Sequence, residues 1–208
     1  MYTLYTWTTP NGRKPLILLE ELGLPYHVVP VNLREHAQFK PDFLAISPNN
    51  KIPAITDGSA VEGPLSLFES GAILTYLAEK YERFLAPGGP QRYRAMQWLY
   101  WQVGGLGPML GQLGFFGKQD SALAREHFAG EAERLLTVLE RELSGCTFVA
   151  GQQYTIADMA CYPWAQAAVS QHREILGDVL ANKPSLRRWL DLMAGRPAVE
   201  RAMAWKPA

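Results

Sequence analysis

The chain has 208 residues, 48% of them hydrophobic, enough for one large domain or two small ones around a buried core. Twenty Lys and Arg balance twenty Asp and Glu, so no basic field exists to gather phosphates, and nucleic acid is excluded as an expected partner. No apolar run reaches the ~18 residues of a bilayer span, and Met1-Tyr2-Thr3-Leu4 lacks the basic and apolar stretches of a secretory leader. The expectation is a cytoplasmic protein with no membrane partner.

Thr3-Leu4-Tyr5-Thr6-Trp7 reads as a short strand rich in β-branched and aromatic residues. The turn cluster Thr8-Thr9-Pro10-Asn11-Gly12 follows, and from Pro15 to Leu22 apolar residues recur at helical spacing, with Gly23 placed to end the helix. His27 to Leu33 predicts a second strand, and Pro41-Asp42-Phe43-Leu44 a single helical turn. Ile52 to Asp57 and Leu65 to Phe68 predict a strand pair around a turn containing Gly58, and Glu69 to Tyr81 an amphipathic helix with Ile73, Leu74 and Leu77 on one face. The order βαβ, then ββα, predicts a small mixed sheet with helices on its faces. This first domain is expected over residues 1–81.

Residues 82–90 contain Pro87, Gly88, Gly89 and Pro90 without periodicity and are expected to be a linker. Residues 91–208 show no strand pattern and predict an all-helical second domain. Arg92 to Gly114 forms a long apolar helix, kinked where Gly104-Gly105-Leu106-Gly107-Pro108 interrupts it. Ala122 to Leu143, Ile156 to His172 and Pro184 to Ala194 follow as helices, with a short one after Pro197. Trp98, Tyr100, Trp101, Phe115 and Phe116 make an aromatic wall, read either as core and dimer contacts or as substrate contacts. The glycines from Gly104 to Gly107 serve either a close helix approach or a second-substrate pocket.

Thr155-Ile156-Ala157-Asp158 fits a capping box, with Tyr154 and Met159 placed as its hydrophobic staple. Folding is the stronger use of Asp158, catalysis the weaker. The two cysteines, Cys146 and Cys161, have no partner at metal-ligand spacing and form no C-x-x-C, so neither a metal nor a redox pair is expected.

Three segments can carry chemistry. At the turn Thr9-Pro10-Asn11-Gly12, free amides and the helix dipole favour an anion such as a thiolate, and Thr9 and Asn11 add side-chain donors. The bland alternative is a plain helix cap. In Ser47-Pro48-Asn49-Asn50-Lys51-Ile52-Pro53, the Ile52-Pro53 bond is a site for a cis peptide that opens the Ile52 backbone to an extended ligand, with Asn50 and Lys51 near a carboxylate. The alternative is a trans proline limiting an edge strand. In Phe68-Glu69-Ser70-Gly71, Glu69 and Ser70 either satisfy a helix N-terminus or hold the ammonium and carboxylate of an amino-acid end.

Asn49 to Ile55, Leu67 to Leu77 and Tyr154 to Asp158 together resemble the signature of the cytosolic glutathione transferase superfamily, over nearly the whole chain. Within it, Thr9 to Gly12, Ile46 to Ile55 and Trp98 to Met109 are most similar to the bacterial Nu class. The resemblance implies a thioredoxin-like α/β N-terminal domain followed by an all-α C-terminal domain, a homodimer, and glutathione as bound thiol. It implies that Thr9 and Asn11 hold the glutathione sulfur, Gln38 the glycyl end, Ile52 the cysteinyl backbone, and Glu69 with Ser70 the γ-glutamyl end. His127 stands where the class supplies an arginine to the partner subunit, a departure from the pattern. The implied activity is glutathione-dependent disulfide reduction on a small disulfide, with the thiol supplied by glutathione because no cysteine lies near the turn. Conjugation to an electrophile or reduction of an organic hydroperoxide is the alternative, and a non-catalytic glutathione-binding regulatory module is the second alternative.

Overall fold

The aromatic and β-branched run at the start of the chain forms β1 (Tyr2–Thr6), with Tyr2, Leu4 and Thr6 on its buried side. The computed structural model describes residues 1–207. α1 (Pro10–Leu22) begins earlier than the apolar spacing predicts. Thr9 is extended (φ −114°, ψ 159°) and its hydroxyl accepts the Gly12 amide, while Pro10 enters the helix with its φ already set. Gly12 sits tightly against β1: a Cβ there would lie 2.2 Å from the Trp7 carbonyl oxygen. β2 (Tyr26–Pro30) stops short of Leu33 because the Asn32 side chain accepts the Arg34 amide and turns the chain into a 3-10 turn at Leu33–Glu35. A second such turn, Ala37–Phe39, leads into α2 (Pro41–Leu44). β3 (Ala54–Asp57), β4 (Leu65–Phe68) and α3 (Ser70–Lys80) complete the predicted order.

The strands lie in the order β2-β1-β3-β4. β2 runs parallel to β1 through the α1 crossover, and β3 and β4 are antiparallel. α1 and α3 pack together. Leu16, Ile17, Leu18 and Leu19 of α1 and Ile73, Leu74 and Leu77 of α3 are wholly buried, each worth about 1.5–3 kcal/mol of apolar burial.

The remaining elements are helical: α4 (Gly89–Trp101), α5 (Gly107–Phe116), α6 (Ala122–Leu143), α7 (Ile156–Ser170), α8 (Arg173–Leu176), α9 (Pro184–Ala194) and α10 (Pro197–Ala204). The chain forms two compact units, one of Met1–Arg83 with the segment from Pro197 onward, the other of Phe84–Arg196. In the first unit α10 returns to α1. The Arg13 guanidinium donates to the carbonyls of Ala202 (2.7 Å) and Trp205 (2.6 Å), and Arg201 pairs with Glu20 at 2.6 Å.

In the second unit, the expected kink between α4 and α5 is a π-helical turn, Gln102–Leu106. The glycines divide there. A Cβ on Gly107 would meet Gln102 Nε2 at 2.7 Å and Trp164 Nε1 at 3.1 Å, so Gly107 serves close packing with α7, whereas Gly104 faces open space. The aromatic wall divides too. Trp98 is buried edge-on against Trp101 and Phe116 stacks on Phe128, but Tyr100 and Phe115 stand exposed. The capping box forms: Asp158 accepts the Thr155 amide, and also the Val149 amide and the Trp189 indole N–H. Tyr154 packs edge-on against Phe84 with Arg196 over its ring.

Candidate functional site

Strand register brings the three segments to one end of the sheet. Tyr5 stands opposite Ala54, and Ala54 opposite Phe68. The turn holding Thr9 leaves β1 past that row, Ile52-Pro53 enters β3 from it, and Glu69-Ser70 follows β4 beyond it. β2 ends there as well, with Pro30 opposite Thr6. A cluster built on Val31, Phe43, Ile52 and Ala54 packs Tyr5 and Ala37 against it, which sets the turn carrying Gln38 beside Ile52. Tyr5 belongs to this core, its ring 6.3 Å from that of Phe43.

Thr9 and Asn11 are half-buried at the mouth of α1. The Thr9 hydroxyl oxygen already accepts the Gly12 amide at 3.1 Å, so its proton is left for an outside acceptor. The Ile52-Pro53 peptide is cis. Ile52 precedes the first ladder pair of β3, at Ala54, and its backbone lies outside the sheet. Ser47, fully buried, fixes the approach: its hydroxyl donates to the Lys51 carbonyl (2.9 Å) and its carbonyl accepts the Asn50 amide (2.9 Å). Asn50 takes a positive φ of 49° in this tight loop, and the Lys51 side chain stands exposed. The buried Gln38 Oε1 accepts no hydrogen bond among the described residues.

Glu69 and Ser70 divide the labour at the start of α3. Glu69 is exposed, holds φ 71° and ψ 115°, and makes no side-chain cap bond. A non-glycine residue in that region is strained by about 1–3 kcal/mol. Ser70 is buried, and its oxygen accepts a hydrogen bond from Lys14 Nζ at 3.2 Å. Lys14, only 1% exposed, is a residue that the sequence reading missed. Its signal was position: one turn before Leu18, it falls on the buried face of α1.

α3 is seated by a second polar group. Asp57 on β3 accepts the Tyr76 hydroxyl (2.7 Å), the Ser59 amide (2.8 Å) and hydroxyl (2.7 Å), and the Lys80 ammonium. Burial pushes the Asp57 carboxyl up, but these donors outweigh it and hold it well below the usual carboxylate range.

His127 lies elsewhere, exposed on α6 in the second unit, its ring edge-on to Phe128. Both cysteines are also in the second unit. Cys161 is fully buried, and Cys146 donates to Glu142 at 3.7 Å, with burial and that carboxylate raising its thiol. Among the described residues no group of three or more His, Cys, Asp or Glu is placed to hold a metal, and no helix is long and apolar enough to cross a membrane.

The mouth of α1 with its Thr9 cap, a strand entry outside the ladder beside a cis proline, and a carboxylate next to a buried Ser–Lys pair line one sheet end. The family model of the glutathione S-transferase N-terminal domain matches residues 4–90, and that of the glutathione S-transferase C-terminal domain matches residues 109–197. The chain belongs to the glutathione S-transferase family. It is 46% identical over 208 residues to the disulfide-bond oxidoreductase YfcG of Escherichia coli, covering 98% of this chain and 94% of that one. A second relative, the disulfide-bond oxidoreductase YghU of Escherichia coli, is 38% identical over 95% of this chain and 72% of its own length. Among solved structures, a glutathione transferase family member from Pseudomonas fluorescens with two glutathiones bound superposes with a TM-score of 0.92 at 44% identity, covering 97% of this chain and 92% of that one. A glutathione transferase from Pseudomonas putida, with one glutathione disulfide per subunit, gives a TM-score of 0.92 at 41% identity over 98% and 90%.

Proposed function

We propose that this family member is a glutathione-dependent disulfide reductase whose working sulfur belongs to bound glutathione. The meeting of Thr9, Ile52 and Ser70 at one sheet end carries the reading. Thr9 and Asn11, with the α1 dipole behind them, stabilise the glutathione thiolate. The Ile52 backbone pairs with the cysteinyl residue in β fashion. Gln38, Asn50 and Lys51 take the glycyl end beside Pro53, Glu69 takes the γ-glutamyl ammonium, and Ser70 its carboxylate. The thiolate attacks a small disulfide, forming a glutathione mixed disulfide and releasing one thiolate. A second glutathione thiolate then attacks the glutathione sulfur, giving glutathione disulfide and the second thiolate product. No enzyme cysteine takes part. Relatives named as disulfide-bond oxidoreductases, and relatives solved with two glutathiones or with glutathione disulfide, support a site that accommodates both glutathiones.

The reading includes a cytoplasmic setting, where glutathione is kept as thiol, and a homodimer in which His127 meets the partner subunit. Exposed Tyr93 and Tyr100, seven residues apart on one face of α4, support a buried partner surface.

The test supplies glutathione with bis(2-hydroxyethyl) disulfide, an aryl halide or cumene hydroperoxide in turn. Disulfide turnover is expected to exceed the other two. Turnover confined to the halide or hydroperoxide moves the assignment to transferase or peroxidase, and binding without any turnover leaves a regulatory module. Asn11→Ala is expected to lower disulfide turnover about tenfold, the loss of one thiolate donor. A Cys146→Ser, Cys161→Ala double variant is expected to keep turnover within about twofold of the parent. Loss of turnover in that variant, still folded, would place the nucleophile on the protein.

A further inference from the structure

Lys14 is a buried charged side chain that the proposed chemistry leaves unused, and its location asks for a reason. It is 1% exposed, on the face of α1 turned toward α3, and its Nζ donates to Ser70 Oγ at 3.2 Å. An ammonium has three donors and no acceptor. Ser70 Oγ is therefore committed as acceptor on its inner side, and its own proton is turned outward as a donor. Ser70 is also the first residue of α3, where the backbone amides lack intrahelical partners. A buried cation behind a hydroxyl that is forced to donate, beside open amides, favours an anion with several acceptor lone pairs, which is a carboxylate. Glu69 alongside excludes a bare dianion and admits a carboxylate that carries an ammonium on the same carbon.

We infer that Lys14 is a positioning residue for the α-carboxylate of the γ-glutamyl end, acting through Ser70 by fixing its hydroxyl as a donor and adding positive potential behind it. The inference rests on the glutathione reading above and assigns a residue that never touches the ligand. Its energetic logic is that the positive charge is buried once, on folding, and is then available to the ligand without reorganisation. A structural role alone, filling the space between α1 and α3, requires no sensitivity to which group the ligand carries.

The test measures binding of glutathione and of its descarboxy analogue, 4-aminobutyryl-cysteinyl-glycine, to the parent and to Lys14→Met. The parent is expected to bind the analogue at least ~30-fold more weakly than glutathione, the worth of a charge-assisted contact. In Lys14→Met, glutathione is expected to bind ~30-fold more weakly than in the parent, and the two ligands to differ by less than threefold. The kcat at saturating glutathione stays within threefold of the parent. A folded Lys14→Met protein that retains full discrimination between the two ligands overturns the inference. If the Met variant does not fold, Lys14→Gln, which suits a polar buried site, is read in the same way: discrimination lost supports the assignment, and discrimination kept overturns it. Ser70→Ala, combined with the Lys14 variant, is expected to add no further loss. A parent protein that binds neither ligand sinks the glutathione reading itself. A parent that binds glutathione well while discrimination survives in the Lys14 variants sinks only the role of Lys14.

Discussion

Two carboxylates stand at helix N-termini, Asp158 at α7 and Glu69 at α3, and the protein treats them oppositely. Asp158 is fully buried and accepts hydrogen bonds from the Val149 and Thr155 amides, the Thr155 hydroxyl and the Trp189 indole. Burial pushes its carboxyl up to about 6, against donors that all favour the charged form. Glu69 is exposed, strained at φ 71°, and its side chain makes no cap hydrogen bond. Both sites have the same dipole behind them. The difference lies in whether the chain satisfies the acid itself or leaves it for something else. An acid saturated by its own protein serves folding, and one held open at a cost in strain is, in the function proposed above, kept for a ligand.

The largest effect expected is at Asp158. Asp158→Ala leaves the Val149 amide, the Thr155 amide and the Trp189 indole buried without an acceptor, at a total cost of about 3–5 kcal/mol. Urea unfolding is expected to show that loss, while the glutathione affinity of the folded fraction stays at the parent value. A variant that unfolds at the parent midpoint would show that the network adds no stability.

Glu69→Gly should do the opposite, raising stability and lowering affinity. Relief of the strained φ is worth about 1–3 kcal/mol and glycine's extra unfolded-state freedom costs about 0.5–1 kcal/mol, so the variant is expected to be about 1 kcal/mol more stable. Loss of the proposed ammonium contact should weaken glutathione binding about 10–100-fold. Stability and affinity moving in opposite directions at one residue is the signature of a site maintained against folding. Unfolding and titration calorimetry on the same preparation would read both, and a fall in stability with unchanged affinity would reverse the contrast.

What the sequence makes legible follows from the range of each interaction. The capping box is visible because Thr155 and Asp158 sit three apart, but the Val149 and Trp189 ends of the same network depend on chain segments brought close by folding. The three segments proposed to hold glutathione are recognisable one at a time, and strand register then explains why they meet. Lys14 escapes because a lysine in a helix is ordinarily read as solvated, and only the identity of the face it occupies, set by α3, says otherwise. The return of α10 to α1 is illegible for a related reason. Arg13 gives its guanidinium to main-chain carbonyls of Ala202 and Trp205, and carbonyls carry no sequence signal.

Asp57 sharpens the comparison from within the same unit as Glu69, and its expected effect is the smallest. It shares the sheet with the Glu69 segment, yet it resembles Asp158 in being buried and saturated, by Tyr76, Ser59 and Lys80. By the rule drawn from the two helix starts, its loss should change stability and leave affinity alone. Asp57→Asn is expected to cost about 1 kcal/mol at neutral pH. The pH dependence carries the finer test. The folded carboxyl is held below its unfolded value, so the stability it contributes is fully present above the unfolded value near ~3.9 and is lost as pH falls toward the folded one. The stability difference between parent and Asp57→Asn should be flat from pH 7 to about 5 and should shrink below about 4. A difference that is already shrinking near pH 6 would assign it to another group. A change in glutathione affinity at pH 7 would mean that seating α3 through Asp57 also sets the geometry of Ser70, and the division between folding acids and ligand acids would then fail inside this unit.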